Sequence, residues 1–434
     1  MEKTIKNVCV IGGGAAGLMA AYAAAKNGHN VILLEKNEKL GKKIYITGKG
    51  RCNFTNDCTV DEFFSNIVRG ERFLKGALYT FSPQKTMEFF ENNGLSIKTE
   101  RGNRVFPQSD HASDVTKTLE NACKKAGVQI KLNENVSEIM SDRIPMSNII
   151  DSSTSDKIPV SDIEDDCLQI TEVVTDKGRY HCDVAVVATG GMSYPSTGST
   201  GDGYGFAKKY GHAVVDLKCG LCGLNTQNGE YTQLQGLALK NVALTAKYNG
   251  KTVYSDFGEL LFTHFGISGP IALSLSSKIN RLPLQSVNVE LDLKPALDEP
   301  TLDRRLLRDF DKYKNKQIVN ALIELLPQKM IAPVLKKSGI DEKKNVNVLT
   351  KEERLRLLKT IKRLPIKIDS LRGFSEAIIT SGGVELTQIN PKTMESKLVR
   401  GLKFCGEVLD VDAFTGGFNM QIAFATGYVA GNTI

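Results

Sequence analysis

Residues 6–35 read KNVCVIGGGAAGLMAAYAAAKNGHNVILLE. Val8, Cys9, Val10 and Ile11 are an apolar run of the length of a short buried strand. Gly12-x-Gly14-x-x-Gly17 follows at once, then an alanine-rich helical stretch from Ala15 to Lys26. Asn27-Gly28 closes that helix. Residues 31–34 are a second apolar strand, which Glu35 ends. Together these make a βαβ dinucleotide-binding unit. Gly12 permits the tight turn, Gly14 lets a pyrophosphate reach the backbone, and Gly17 lets helix and strand pack closely. The helix N-terminus offers free N–H groups and the positive end of its dipole to phosphate. Glu35 can accept hydrogen bonds from ribose hydroxyls. Its charge disfavours a 2′-phosphate, so FAD or NAD is expected rather than NADP.

The same opening residues imitate a secretory leader, with Lys3 and Lys6 ahead of an apolar stretch and Ala23, Ala24 and Ala25 behind it. Gly12-Gly13-Gly14 would break the helix such a leader needs, so the dinucleotide reading takes precedence. A chain of 434 residues is too long for one small domain. Its 41% hydrophobic and 24% charged residues are those of a globular protein and exclude collagen, a coiled-coil rod and wholesale disorder. No apolar run is long enough for a membrane-spanning helix. Nine cysteines, an odd number without a regular framework, point to reduced thiols in a cytoplasmic setting.

The loop after the first βαβ unit, residues 40–56, reads LGKKIYITGKGRCNFTN. It can cover a pyrophosphate, with Lys42, Lys43 and Arg51 neutralising charge and Asn53, Thr55 and Asn56 holding a ring system. Cys52 has no resolving partner nearby and reads as a structural thiol beside the cofactor. In RGNRVFPQSDHASDV, residues 101–115, Arg101, Arg104 and His111 surround Phe106-Pro107, and Ser109 or Asp110 can cap a helix over 112–126. Residues 128–140 and 168–174 alternate as strands. The half-polar stretch 141–166, with six serines and seven acids, reads as a mobile loop between them. A buried strand over 184–188 opens into Ala188-Thr189-Gly190-Gly191, where backbone can approach a cofactor. The glycine-rich 193–205, SYPSTGSTGDGYG, is not a second GxGxxG. Cys219 and Cys222 form a CxxC without the further ligands that a zinc site needs, so no metal is expected.

Residues 212–295 read as short strands, a small β-domain. His264, between Phe262 and Phe265, is a candidate proton donor, although such a flanked histidine more often packs into a core. Residues 301–363 change to helical spacing and hold 17 Lys+Arg against 8 Asp+Glu, more than the whole-chain excess of 56 − 49 = +7. That charge reads as a solvated face or as an attractor of an anionic small-molecule substrate. Nucleic acid is not expected, because only Phe310 and Tyr313 interleave the charges. The C-terminal segment returns to α/β character. A strand at 402–405 ends at Gly406-Glu407, and a helix follows from about Asn419, whose dipole could stabilise a reduced flavin while the acid binds its ribityl side.

The stretches GGGAAGLMAA (12–21), GKGRCNFTN (48–56), ATGGMSYPSTGSTGDGYGFA (188–207), GELLFTHFGISGP (258–270) and the long segment from Thr380 to Gly427 resemble the BaiN-like flavoproteins, which include enzymes described as aminoacetone oxidases. The resemblance spans nearly the whole chain. It implies an α/β, glutathione-reductase-like FAD-binding Rossmann domain with a β-barrel insert and a nested helical domain. On this chain these would be 1–205 with 370–434, 206–295 with 364–369, and 296–363. It implies FAD held by Gly12, Gly14, Ala15, Ala16, Gly17, Glu35, Lys36, Lys42, Lys43, Arg51, Cys52, Asn53, Val136, Ala188, Thr189, Gly190, Gly406, Glu407, Asn419 and Met420. The expected activity is hydride transfer from NAD(P)H through the flavin to the C=C of an enone, such as a 3-oxo-Δ4 or Δ4,6 bile acid intermediate, with Tyr194, His264 and Arg51 as catalytic candidates. An oxygen-consuming aminoketone oxidase and a tRNA-acting flavoprotein are the alternatives.

Overall fold

The computed structural model describes residues 4–144 and 167–434. The chain divides into two compact units, one of Met1–Lys218 with Ile379–Ile434, the other of Cys219–Ile378.

The first unit is built on five parallel strands: β1 (Asn7–Ile11), β2 (Asn30–Glu35), β3 (Gln129–Leu132), β4 (Val184–Val187) and β5 (Leu402–Phe404), in the order β5-β4-β1-β2-β3. The runs VCVI and VAVV are continuous because a central parallel strand is covered on both faces. Val10 is flanked by Val186 on one side and Leu33 on the other, and all three are fully buried. Helix α1 (Ala15–Lys26) connects β1 to β2 and stops at Asn27. A short helix α2 (Lys42–Ile46) follows β2. The last element, α3 (Phe418–Asn432), lies on α1. A Cβ at Gly427 would sit 2.3 Å from the Ala16 carbonyl oxygen, and one at Gly431 2.1 Å from that of Ala20. Glycine at both positions lets the two helix backbones touch, which fixes the end of the chain against its beginning.

The strand expected over 128–140 is broken at Asn133, which adopts φ +53, into β3 and a strand Val136–Ile144. That second strand pairs antiparallel with Cys167–Thr175, so residues 141–144 of the polar stretch are strand rather than loop. The rest of the expected mobile loop, 145–166, lies outside the described residues. The helix Ala112–Lys125 starts after His111, and neither expected residue caps it. Ser109 Oγ donates to the Asp114 carboxylate, and Asp110 is drawn into ion pairs with Arg51 and Lys98. The 193–205 segment carries a 3-10 turn, Pro195–Thr197, and the start of the helix Asp202–Lys209.

The second unit is a seven-stranded antiparallel sheet. Its central hairpin is Ala238–Tyr248 with Lys251–Phe262. The two rim strands, Leu364–Ile366 and Ile368–Leu371, are consecutive pieces of one segment bent at Lys367, so the sheet closes on itself as a barrel. The helix Pro270–Ile279 was not foreseen among the strands, and four further helices lie between Glu299 and Lys362. Leu302, Leu306 and Leu322 of these helices share one apolar core with barrel residues Leu291 and Leu364. That shared core is why the helical segment and the barrel form one unit, which meets the first at 218/219 and 378/379.

Candidate functional site

The site in the first unit begins at the turn after β1. Gly12 adopts φ +103, and a Cβ there would lie 2.6 Å from the Ala188 carbonyl oxygen. The ATGG end of β4 therefore abuts the glycine turn, tied by Ala188 N to Ile11 O. Gly14 caps α1 without a side-chain partner for its first-turn N–H groups, and nothing stands within 4 Å of where its Cβ would be. That opening is a cradle for a phosphate at a helix N-terminus. Ala16 faces the closing segment: a Cβ on Gly406 would meet its methyl at 2.7 Å.

Glu35 is buried at the end of β2. One carboxylate oxygen accepts from Gly13 N at 2.8 Å, the other from Asn37 N at 2.8 Å and Asn37 Nδ2 at 2.6 Å. Beside it is a cavity of about 620 Å³ lined by Lys36, Asn37, Asn135, Val136 and Ser137 and, across from them, by Pro195, Ser196, Gly198, Thr200, Asp202 and Phe206. Lys36 crosses this space to Asp202 at 2.6 Å and Thr200 at 2.5 Å. Lys42 is held by Glu38 and Asn37. Both lysines thus have partners in their own chain.

Lys43, on α2, donates to Ser193 Oγ and, at 2.7 Å, to Glu407 Oε2. Glu407 Oε1 accepts from Ser193 Oγ and from Thr380 N, each at 2.8 Å. Burial alone would raise the Glu407 carboxyl, but Lys43 and these donors outweigh it and hold the group below the usual carboxylate range. Gly406 N donates to Thr426 Oγ1 on α3, and Asn419 in the first turn of α3 clasps Ala413 through both N and O. Met420 is half-buried next to it.

Arg51 faces Glu100 and Asp110 and lies over the Phe106 ring, 4.3 Å from its centroid. Its guanidinium holds the Glu100 carboxyl below its ordinary range, and Lys98 together with Arg51 does the same to Asp110. Cys52 is buried at φ +59, and burial pushes its thiol well above the ordinary range, so it is a poor nucleophile. Thr55 bonds Gln421 on α3, and Asn56 reaches the Gly416 carbonyl, so both tie the loop to the closing segment. Asn53 Oδ1 and Thr189 Oγ1 are buried with no hydrogen-bond partner. Buried polar atoms are rarely left so; the Asn53 orphan, in the loop after α2, fits a polar cofactor, whereas Thr189 Oγ1 is turned toward Gly203, whose added Cβ would meet it at 2.3 Å. Tyr194 has φ +52, uncommon for a bulky side chain. His264 belongs to the second unit and is exposed at a turn closed by Thr263 N to Gly266 O, which corrects the core-packing reading. Cys219 and Cys222 are free thiols, and no cluster of three or more metal-ligating side chains exists among the described residues. Among them, no helix is long and apolar enough to cross a membrane.

Sequence reasoning left Asn37, Ser193 and Thr380 unassigned. Asn37 two residues after the acid, and Ser193 and Thr380 beside glycine pairs, were the available signals, but partnership across about 190 residues has no local signature.

The profile of the HI0933-like protein Rossmann domain matches residues 6–433. The chain belongs to this family. Among relatives of this HI0933-like protein, the 3-dehydro-bile acid delta(4,6)-reductase of Clostridium scindens is 29% identical over 98% of each chain. The ribosomal RNA dihydrouridine synthase of Haemophilus influenzae is also 29% identical, over 100% of this chain and 99% of its own. A solved 3-ketosteroid delta1-dehydrogenase from Sterolibacterium denitrificans aligns with TM-score 0.51 at 12% identity over 99% of each chain, a likeness of fold. The HI0933-like chain is therefore an oxidoreductase on an FAD-binding Rossmann scaffold.

Proposed function

We propose that the protein reduces a carbon–carbon double bond conjugated to a carbonyl, with FAD as resident cofactor and NAD(P)H as electron source. The observation that carries this reading is the meeting of the Gly12–Gly17 turn, the ATGG strand end and Gly406 around the open helix N-terminus at Gly14. Gly14 to Gly17 would hold the pyrophosphate, Glu35 the ribose, and Lys36 and Val136 the adenosine end. Glu407 would take the ribityl chain, and the N-terminus of α3 would face the flavin ring. Asn53, Thr189 and Gly190 would supply polar contacts. When bound, the flavin supplies hydride chemistry at the β-carbon of an enone. The chain's own task is then to exclude water, orient the carbonyl and deliver a proton to the α-carbon, for which Tyr194 is the candidate in the first unit.

The names of the two relatives share this chemistry. A steroid 4-ene beside a 3-oxo group and the 5,6-double bond of uracil beside its 4-carbonyl are both enone-like. The 3-oxo steroid, an anionic small molecule when it carries a bile acid side chain, is the first reading of the substrate. Uridine in ribosomal RNA is the second, favoured by the second relative and by the 17 cations against 8 acids in residues 301–363.

The test is anaerobic reduction of the yellow holoprotein by NADH or NADPH, followed by reoxidation with a 3-oxo-Δ4,6 bile acid or with unmodified ribosomal RNA. Reoxidation by either, with a reduced product, supports the reading and selects the substrate. Absence of bound flavin, or reoxidation only by oxygen with an aminoketone as reductant, overturns it.

A further inference from the structure

The sequence assigns Lys43 to phosphate neutralisation, yet its amine is directed at Glu407. Glu407 is fixed by three separate stretches of chain: α2 through Lys43, the loop after ATGG through Ser193, and the segment Ile379–Ser381 through Thr380 N. The wall beside it is bare backbone. A Cβ on Gly191 would fall 2.3 Å from Thr380 Oγ1 and 2.9 Å from Glu407 Oε1. Thr380 Oγ1 itself accepts from Met192 N and Ser193 N, which keeps that wall in register. Counting acceptors, Oε1 already receives two donors, while Oε2 receives Lys43 alone and keeps one lone pair for another donor.

We infer that Lys43 is a positioning residue: its ion pair with Glu407 fixes that carboxylate so that one acceptor edge stays open to a hydroxyl of the flavin's ribityl chain. The inference rests on the flavin site proposed above. Without a cation at position 43, a carboxyl in this enclosed place gains a proton more readily, because burial disfavours its charge. A protonated Glu407 no longer offers the same acceptor, and the cofactor loses a bond that Lys43 never touches.

Equilibrium binding of FAD to deflavinated protein, measured across pH on four chains, tests this. Lys43→Met should bind FAD about tenfold or more weakly near neutral pH, the residual solvent contact of the pair limiting the loss. The deficit should deepen as pH falls from about 8 to about 6. Lys43→Arg, which keeps the charge, should restore most of the affinity. Glu407→Gln should bind weakly with no such pH slope. Lys43→Met binding like the wild type throughout overturns the inference and leaves the flavin site standing. So does equal weakness of Lys43→Met and Lys43→Arg without a pH slope, since only a structural role would remain. A wild-type chain that takes up no FAD overturns the site and the inference together.

Discussion

Lys403 is 2% exposed in the middle of β5, and its amine donates to the carbonyls of Ala430 and Thr433 and to Thr433 Oγ1. It caps the C-terminal end of α3, where the helix dipole favours a cation. Burial still dominates and pushes the amine down to about 8. The unfolded chain, with an ordinary lysine, binds more protons between that value and about 10.4, so the stability from this group rises with pH through that window. The wild-type minus Lys403→Met difference in unfolding free energy should therefore grow by on the order of 3 kcal/mol from about pH 8 to about 10.5, read by urea titration. Around Arg51 the slope has the same sign, in an acid window. Glu100 is held below its usual range by this guanidinium, and Asp110 by Lys98 together with it, so their contribution is present above about pH 4 and disappears as acid protonates them. The melting temperature of Arg51→Ala should lie below that of the wild type near neutrality and converge with it near about pH 3. The sequence made Arg51 visible as a cation near the cofactor. It could not show that Glu100, 49 positions away, takes its charge, because that meeting depends on a hairpin turn.

At the scale of elements, α1 is the best-read part of the chain: its limits follow from glycine before, Asn27-Gly28 after, and an alanine-rich stretch between. The helix Pro270–Ile279 went unread because PIALSLSSKI mixes serines through an apolar run, which fits a buried strand as well as a buried helix. The α1–α3 contact was legible only as small residues on one face. Its reason is backbone proximity at Gly427 and Gly431. Gly431→Val should therefore cost more than the usual overpacking range of about 1–3 kcal/mol, because the added carbons meet backbone that cannot rotate away. Thermal melting of the variant should fall well below that of a Gly28→Ala control, where the position is open although φ is positive.

At the scale of the whole molecule, the dinucleotide-binding half was legible from either end, since GxGxxG and the strand-Gly-Glu-helix return are local patterns. The merging of barrel and helical insert was not, because a shared core is a property of tertiary contact among Leu291, Leu302 and Leu364. Two cores predict two calorimetric transitions in the intact chain. FAD at about 100 times its dissociation constant should stabilise the first unit by about 2.7 kcal/mol and shift only that transition. A single transition moving as a whole would show instead that the two cores unfold together.

The bend at Lys367 has a further consequence. Because the two rims are one continuous segment, the register of Leu364–Ile366 against Asn288–Asp292 and that of Ile368–Leu371 against Leu224–Thr226 are tied to each other. Deleting that single residue would force one rim out of phase with its partner and turn its inward side chains outward.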